Sequence, residues 1–367
     1  SIENIGIILM GVGASLMFVS GGHPVLAALA LAAGLYHCLN HAAFKGLLFL
    51  GAGAVLHATH TRNMEEMGGL VKRMPQTAGL FLLGAVAISA LPPLNGFVSE
   101  WLTYQALLQG FGSTESLWRV LFPLGGAMLA LTGALAAARF VKAFGISFLA
   151  QPRSPAAARA HEAPATMRLG IALLGVACLG LGLCPTVFLD WLAPVMEQLT
   201  GEGLAGRLAL ADGWVLTAPG PDAGSVSTVG MALMGVSFLL VPLVLRWWPG
   251  GRTRVRRGPT WDCGLKGLTP RMEYSATGFS KPLRMIFKAL FRPQREVQRE
   301  YEFLPYFARA IRFESHVEEV FDQRIYRPAR FWILRGSRRV RSLQQGSLQV
   351  YLLYIFLTLL GLLLWAI

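Results

Sequence analysis

Leu91-Pro92-Pro93-Leu94-Asn95-Gly96-Phe97-Val98-Ser99-Glu100 lies inside an apolar run that covers residues 76–108. A helix needs about 20 such residues to cross the hydrocarbon of a bilayer. Two prolines withhold backbone donors and Gly96 loosens the chain beside them, so a helix here breaks near mid-membrane. The stretch predicts one span made of two half-helices, with Glu100 at the start of the second. A hairpin of two spans fits worse, because each half is short for the hydrocarbon and the alternation of loop charge would fail.

The same apolar character recurs on both sides of this stretch. Of the 367 residues 54% are hydrophobic and 14% charged, against roughly 25% charged in soluble proteins, which excludes an ordinary water-soluble domain. Spans are expected at 5–20, 25–56, 76–108, 117–144, 167–189, 228–248 and 348–367. The fold class is therefore all-α integral membrane, a polytopic bundle of about seven transmembrane helices, one of them broken. The second span is longer than a perpendicular crossing requires and is expected to tilt, kink or protrude. Lys and Arg are retained on the cytoplasmic side. Arg62, Lys72 and Arg73 follow the second span, Arg153 and Arg159 the fourth, and a large basic segment the sixth. The connector at 190–227 instead carries Asp190, Glu197, Glu202, Asp212 and Asp222 against Arg207 alone. Residue 1 is thus expected inside and Ile367 outside. The chain has no initiator Met and enters its first apolar run at Ile5, so it reads as the later part of a longer polypeptide.

The net charge of +13 is concentrated: residues 251–345 hold 21 Lys or Arg and 9 Asp or Glu, and the remainder is nearly neutral. This divides the chain into a transmembrane bundle of six spans (1–250), a basic cytoplasmic segment (251–345) and a final transmembrane helix (346–367). Basic residues interleaved with aromatics suggest nucleic acid in a soluble protein. Between membrane spans, cytoplasmic retention, anionic headgroups and docking to a partner account for the charge, and no nucleic-acid partner is expected. Residues 314–334 alternate charged and apolar positions (Val317, Val320, Phe321, Ile325, Phe331, Ile333) around Pro328, a pattern readable as an amphipathic helix along the membrane. Cys38, Cys178, Cys184 and Cys263 are too scattered for a metal knuckle or a disulfide framework. With no nucleotide loop, haem signature or cluster-binding set, neither cofactor, metal site nor catalytic residue is assigned to this chain.

A charged side chain at the bilayer centre costs about 2.5–3.5 kcal/mol even on the lower scales, so each one is a functional candidate. His37, His41 and Lys45 recur at i, i+4 and i+8, a drifting helical stripe about 12 Å long. Imidazole accepts and releases protons near neutral pH, and a lysine packed at lipid depth can exchange one, so the stripe reads as a proton relay. A zinc-protease pattern fails because Cys38 occupies the glutamate position, and two histidines alone lack further metal ligands. The plainer reading is that the histidines hydrogen-bond between helices while Lys45 reaches an interface. Glu100 follows a helix break whose free backbone groups can hold water or an ion, and it reads as a proton carrier that Lys45 could switch; its plainer role is to cap half-helix amides. Arg139 and Lys142 lie near the inner end of the fourth span as anchors, with Lys142 also a candidate end of a proton path.

Asn40-His41-Ala42-Ala43-Phe44-Lys45-Gly46-Leu47-Leu48-Phe49-Leu50-Gly51-Ala52-Gly53, then Met67-Gly68-Gly69-Leu70, then the Pro92-Pro93 stretch, resembles the second half of an antiporter-like subunit. That family comprises proton-pumping membrane subunits of respiratory complex I, Mrp-type cation/proton antiporters and membrane-bound hydrogenases. Trp261-Asp262-Cys263-Gly264 and Arg271-Met272-Glu273-Tyr274-Ser275-Ala276-Thr277-Gly278-Phe279-Ser280-Lys281-Pro282-Leu283 are similar to its hydrogenase-4 component B and formate hydrogenlyase subunit 3 branch. The resemblance implies that Lys45 is the central lysine of the second half, that His37 and His41 are relay histidines, and that Glu100 is the broken-helix position connecting outward. The glutamate and lysine of the family's first half would lie before Ser1. It further implies a proton-translocating subunit of a complex I-like oxidoreductase, most nearly a group 4 membrane-bound [NiFe] hydrogenase in a bacterial cytoplasmic (inner) membrane. Its partners would be other membrane subunits, membrane lipids and soluble hydrogenase subunits, the last carrying the Ni-Fe centre and Fe-S clusters. Two other readings stand beside this one: an Mrp-like antiporter subunit without a redox partner, and a structural membrane anchor.

Overall fold

The computed structural model describes residues 1–112, 116–202, 215–219, 224–247, 258, 261–265, 267–291, 293–301, 308–317, 321–341 and 346–366. The chain forms two compact units, Ser1–Phe279 and Ser280–Ile367.

The first unit is a helical bundle around one long central helix. α1 (Ile2–Ser20) turns back at Gly21 into α2 (Pro24–Thr59), which starts with Pro24 in its first turn and stops at His60, whose left-handed backbone closes the last turn on Leu56. At 36 residues, α2 is about 54 Å long and outreaches a hydrocarbon core of about 30 Å. Its interior face is small and apolar: Ala27, Ala28, Leu29, Ala30, Ala32 and Ala33 are fully buried. A Cβ on Gly11 would come 2.9 Å from the backbone of Gly34, so α1 and α2 touch backbone to backbone. Small residues allow such close approach in lipid, where association depends on packing rather than on the hydrophobic effect.

The 76–108 run is two helices, as the sequence predicts: α3 (Pro75–Ile88) and α4 (Asn95–Gln109). Ser89 closes α3 by donating its hydroxyl to Ala85 O at 2.7 Å. Pro92 and Pro93 carry no amide to continue the ladder. A Cβ on Gly96 would lie 2.0 Å from Ala87 O, so only glycine lets α4 start this close to the end of α3. α5 (Trp118–Phe148) follows, then a short α6 (Pro155–Arg159).

The fifth expected span differs from the prediction. α7 (Ala165–Leu183) ends six residues early, and Pro185 opens a separate helix, α8 (Pro185–Thr200), which continues into the expected acidic connector. The cause is local: proline lacks the donor α7 would need and displaces Cys184 from helical geometry (φ −120°, ψ 51°). α8 buries Leu189, Ala193 and Met196 and exposes Asp190 and Glu197. A small antiparallel ribbon, β1 (Val215–Thr217) with β2 (Ser225–Ser227), leads into α9 (Thr228–Trp247). Arg207, Asp212, Asp222, Trp248 and the basic run 252–257 lie outside the described residues.

The connectors after α2, α5 and α9 meet at one end of this unit, as their shared basic character requires. Gly69 N–H donates to Leu149 O at 2.7 Å, and Glu162 accepts from the amides of Gln76 (3.0 Å) and Thr77 (3.2 Å). Arg153, with only 9% of its side chain exposed, donates to Ile146 O, Met67 O and Tyr274 O and pairs with Glu273 at 3.4 Å. Glu65 accepts from the amides of Ala276 (3.3 Å) and Thr277 (2.7 Å), the first turn of α10 (Ala276–Ile286). Partial burial pushes the Glu65 carboxyl up, but the Thr277 and Ala276 hydrogen bonds and the Arg153 charge outweigh it and hold it below the ordinary glutamate value.

The second unit contains α11 (Lys288–Phe291), an antiparallel ribbon of β3 (Pro293–Tyr301) and β4 (Ala308–Val317), α12 (Arg327–Arg341) and α13 (Leu348–Ala366). Two ribbons thus accompany the helices. The amphipathic pattern at 314–334 is not one helix: 314–317 close β4, 318–320 lie outside the described residues, Asp322–Tyr326 form a wide π-turn, and α12 begins at Arg327. Pro328 falls in the first turn of α12, where its missing donor costs nothing.

Among the described residues six helices are long and apolar enough to cross a membrane, namely α1, α2, α5, α7, α9 and α13. α3 and α4 are each shorter than this, and the expectation at 76–108 is of one crossing shared between them. Leu9, Leu16, Leu173 and Val176 are each more than 60% exposed, which lipid tolerates and water does not.

Candidate functional site

Tyr36, His37, Asn40 and Phe44 point inward from α2 and are at most 1% exposed. His37, Asn40 and Phe44 follow i, i+3, i+7 spacing and so share one face. Opposite them, α4 carries Asn95, Ser99 and Thr103 at i, i+4, i+8, all buried. α1 adds the buried Asn4.

These side chains close into one network. His37 Nε2 lies 3.2 Å from Asn4 Oδ1 and its Nδ1 2.9 Å from Ser99 Oγ. A carbonyl oxygen only accepts, so Nε2–H donates to Asn4, and Nδ1 of a neutral ring accepts from the Ser99 hydroxyl. Asn40 Nδ2 donates to Ser99 Oγ at 3.0 Å and to Asn95 O at 2.9 Å. The Ser99 hydroxyl has a second acceptor, Gly96 O at 3.2 Å. It can therefore turn from His37 to Gly96 O and receive an Nδ1–H instead. Both ring nitrogens of His37 thus keep a partner whether the ring is neutral or charged, while Asn95 Oδ1 is buried without a hydrogen-bond partner among the described residues.

Of the other residues singled out from sequence, Glu100 and His41 lie beside this network, Lys45 one turn further along α2 and Lys142 near the end of α5. Glu100 follows Ser99, is 8% exposed, and lies against Gly133 of α5. His41 is half-buried, edge-on to Phe44 at 5.7 Å between ring centroids; its Nε2 is buried with no hydrogen-bond partner among the described residues. Lys45 is half-buried, with Nζ 4.9 Å from the centre of the Phe49 ring, a cation–π contact. Lys142 is half-buried near the end of α5. Among the described residues Lys45 and Glu100 form no ion pair; α2 is joined to the Glu100 turn through His37 and Asn40, both bonded to Ser99. No three His, Cys, Asp or Glu residues converge to hold a metal among the described residues.

Four network members escaped the sequence reading as site residues: Asn4, Asn40, Asn95 and Ser99. Asn40 stands one turn from His37 on an apolar helix, and Asn95, Ser99 and Thr103 make a polar stripe at helical spacing, which are signals the sequence does contain. Asn4 fell just outside the expected first span.

The break is held from behind by the end of α7. Tyr36 OH donates to Leu181 O, and Thr228 Oγ1 donates to Leu183 O at 3.0 Å. Between them Gly182 presses on the break, where a Cβ would meet Pro93 O at 2.6 Å, Asn95 N at 2.8 Å and Leu94 C at 2.9 Å.

A multi-pass helical membrane protein whose interrupted helix abuts a buried histidine and carboxylate is thus defined by fold and site. Residues 2–128 match the family described as NADH:quinone oxidoreductase/Mrp antiporter, TM. The chain is 37% identical over 365 residues to hydrogenase-4 component B of Escherichia coli K12, covering 99% of this chain and 54% of that protein. It is 36% identical over 289 residues to formate hydrogenlyase subunit 3 of the same organism, covering 78% and 44%. The chain therefore belongs to the antiporter-like family of membrane subunits, and it spans about half the length of the curated relatives it matches. Its fold is shared by a chain in the structure of the membrane-bound sulfane sulfur reductase, an archaeal respiratory membrane complex, with a TM-score of 0.59, 22% identity and coverage of 98% of this chain and 55% of that one.

Proposed function

We propose that this chain is a proton-translocating membrane subunit of a complex I-like redox assembly, of the group 4 membrane-bound [NiFe] hydrogenase type, in a bacterial cytoplasmic membrane. Lys45, His41, His37 and Glu100 exchange the protons, with Lys142 toward the end of α5 that meets the basic connectors. Electron transfer belongs to partner subunits, which carry the Ni-Fe centre and Fe-S clusters. The basic connector end faces the cytoplasm.

The observation that carries this reading is the two-state hydrogen bonding of His37. Ser99 accepts or donates by turning its hydroxyl between His37 Nδ1 and Gly96 O, so a proton can arrive on the imidazole and leave without stranding a buried polar atom. The unpartnered Nε2 of His41, one turn away toward Lys45, offers the next acceptor or donor on the same helix. Similarity to hydrogenase-4 component B and formate hydrogenlyase subunit 3 supports the type of assembly.

The test is made in native membranes containing the whole complex. Glu100→Gln and Lys45→Ala should each impair proton pumping while hydrogenase turnover with a soluble dye continues. Full pumping by either variant sinks its assigned role.

A further inference from the structure

Glu3 is the charged residue of the first span that the relay above does not use. α1 and α2 run antiparallel, and their register is fixed by three contacts: Gly11 against the backbone of Gly34 and Ala30, Gly34 against Ile8 O, and Asn4 bonded to His37. These pairings place the Glu3 turn about level with Asn40 and His41, near the middle of α2. Side chains on a helix lean toward its N-terminus, which on α1 is the direction of Lys45. Glu3 is half-buried. Its charge interacts with Lys45 of α2 and Arg139 of α5, and with Glu100 of α4. One carboxyl thus stands among all three helices that carry the relay, while the adjacent Asn4 is bonded into the His37 network.

We propose that Glu3 is a further proton-exchanging residue of this relay, passing protons between the Lys45 turn of α2 and Glu100 of α4. The inference rests on the proton-relay reading. In one direction the Lys45 ammonium gives a proton to the Glu3 carboxylate, leaving a neutral amine and a neutral acid. Glu3 then gives that proton to an ionised Glu100 and returns to its charged form. Reversal of both steps carries the proton the other way. Charge couples the two carboxyls: a proton on either one relieves their mutual repulsion.

Charged groups that bear on Glu3 are Lys45 on α2, Glu100 on α4 and Arg139 on α5. The experiment measures protons pumped per dye-independent turnover between pH 6 and 9, a span of about three decades in proton activity, in membranes holding the full complex. Glu3→Gln should lower pumping about tenfold or more, with soluble-dye turnover retained, and Glu3→Asp should restore pumping with a displaced pH profile. A carboxylate that only balances Arg139 or the first turn of α1 would leave that profile unmoved in the aspartate variant, which would overturn the proposal. Normal pumping by Glu3→Gln beside defective Lys45→Ala and Glu100→Gln would also overturn it while leaving the relay intact. Normal pumping by all three would remove the relay itself. If Glu3→Gln does not assemble, the pH profile of Glu3→Asp decides alone.

Discussion

Gly182→Ala changes no polar atom and touches no residue of the relay, yet it should damage both stability and transport. The added Cβ would sit 2.6 Å from Pro93 O, where ordinary contact begins near 3.4 Å. The break or the end of α7 must therefore move by about 0.8 Å, and the obstructing atoms are backbone, with no flexible side chain to swing aside. Overpacking of this kind costs about 1–3 kcal/mol. The displaced residue includes Asn95, whose carbonyl accepts from Asn40 at 2.9 Å. Stretching that interhelical bond adds about 0.6–1.7 kcal/mol, the range measured for such bonds in membranes. Together the change is about 2–5 kcal/mol, which lowers the thermal midpoint of the detergent-solubilised complex by several degrees and loosens the alignment of Ser99 with His37. Gly180→Ala, two residues earlier and with open space around its Cβ, is the matched control. The assay is thermal unfolding followed by proton pumping at a temperature where both variants are folded. Identical behaviour of the two would refute the claim that the end of α7 holds the broken helix in place.

Ser99→Ala removes the partner of His37 Nδ1 and one of two acceptors of Asn40; with a buried imidazole nitrogen left unpaired, the loss should be about 1–3 kcal/mol, and pumping should fall further than in Thr103→Ala, which loses only a bond to its own helix. At the connector end, the Glu65 carboxyl is held below its ordinary value in the folded protein. Its contribution is therefore complete above the ordinary glutamate range and is lost as pH falls through the lowered value. Protease cleavage within 267–277 should rise as pH falls below about 4.5, and Glu65→Gln should abolish that dependence; an unchanged pH dependence in the variant would assign it to another group.

The part of this protein that was legible in the sequence follows from the bilayer acting on each residue separately. Apolar run length placed the crossings, Pro92-Pro93 placed the interruption, and Lys and Arg counts put three connectors at one end, where Arg153, Glu162 and Glu65 do join them. Pro185 ends α7, short of the expected end of that span, by the same missing donor that breaks the chain at Pro92. The cost of a charge at lipid depth singled out Lys45, His37, His41 and Glu100 without any knowledge of their neighbours.

Only the tertiary structure decided which polar atoms meet. Helices in lipid are apolar on every face, so hydropathy does not encode the rotation or the register with which one helix sits on another. Glycine contacts set both here: Gly11 on Gly34 carries Asn4 to His37 and the Glu3 turn level with Asn40 and His41, and Gly182 on the 93–95 backbone holds Asn95 and Ser99 against Asn40 and His37. Glu273 and Thr277 likewise acquired a place only when folding brought them, more than a hundred residues on in the chain, to Arg153 and Glu65. Long-range pairings of this kind depend on backbone approach distances of a few tenths of an ångström, which no count of apolar residues contains.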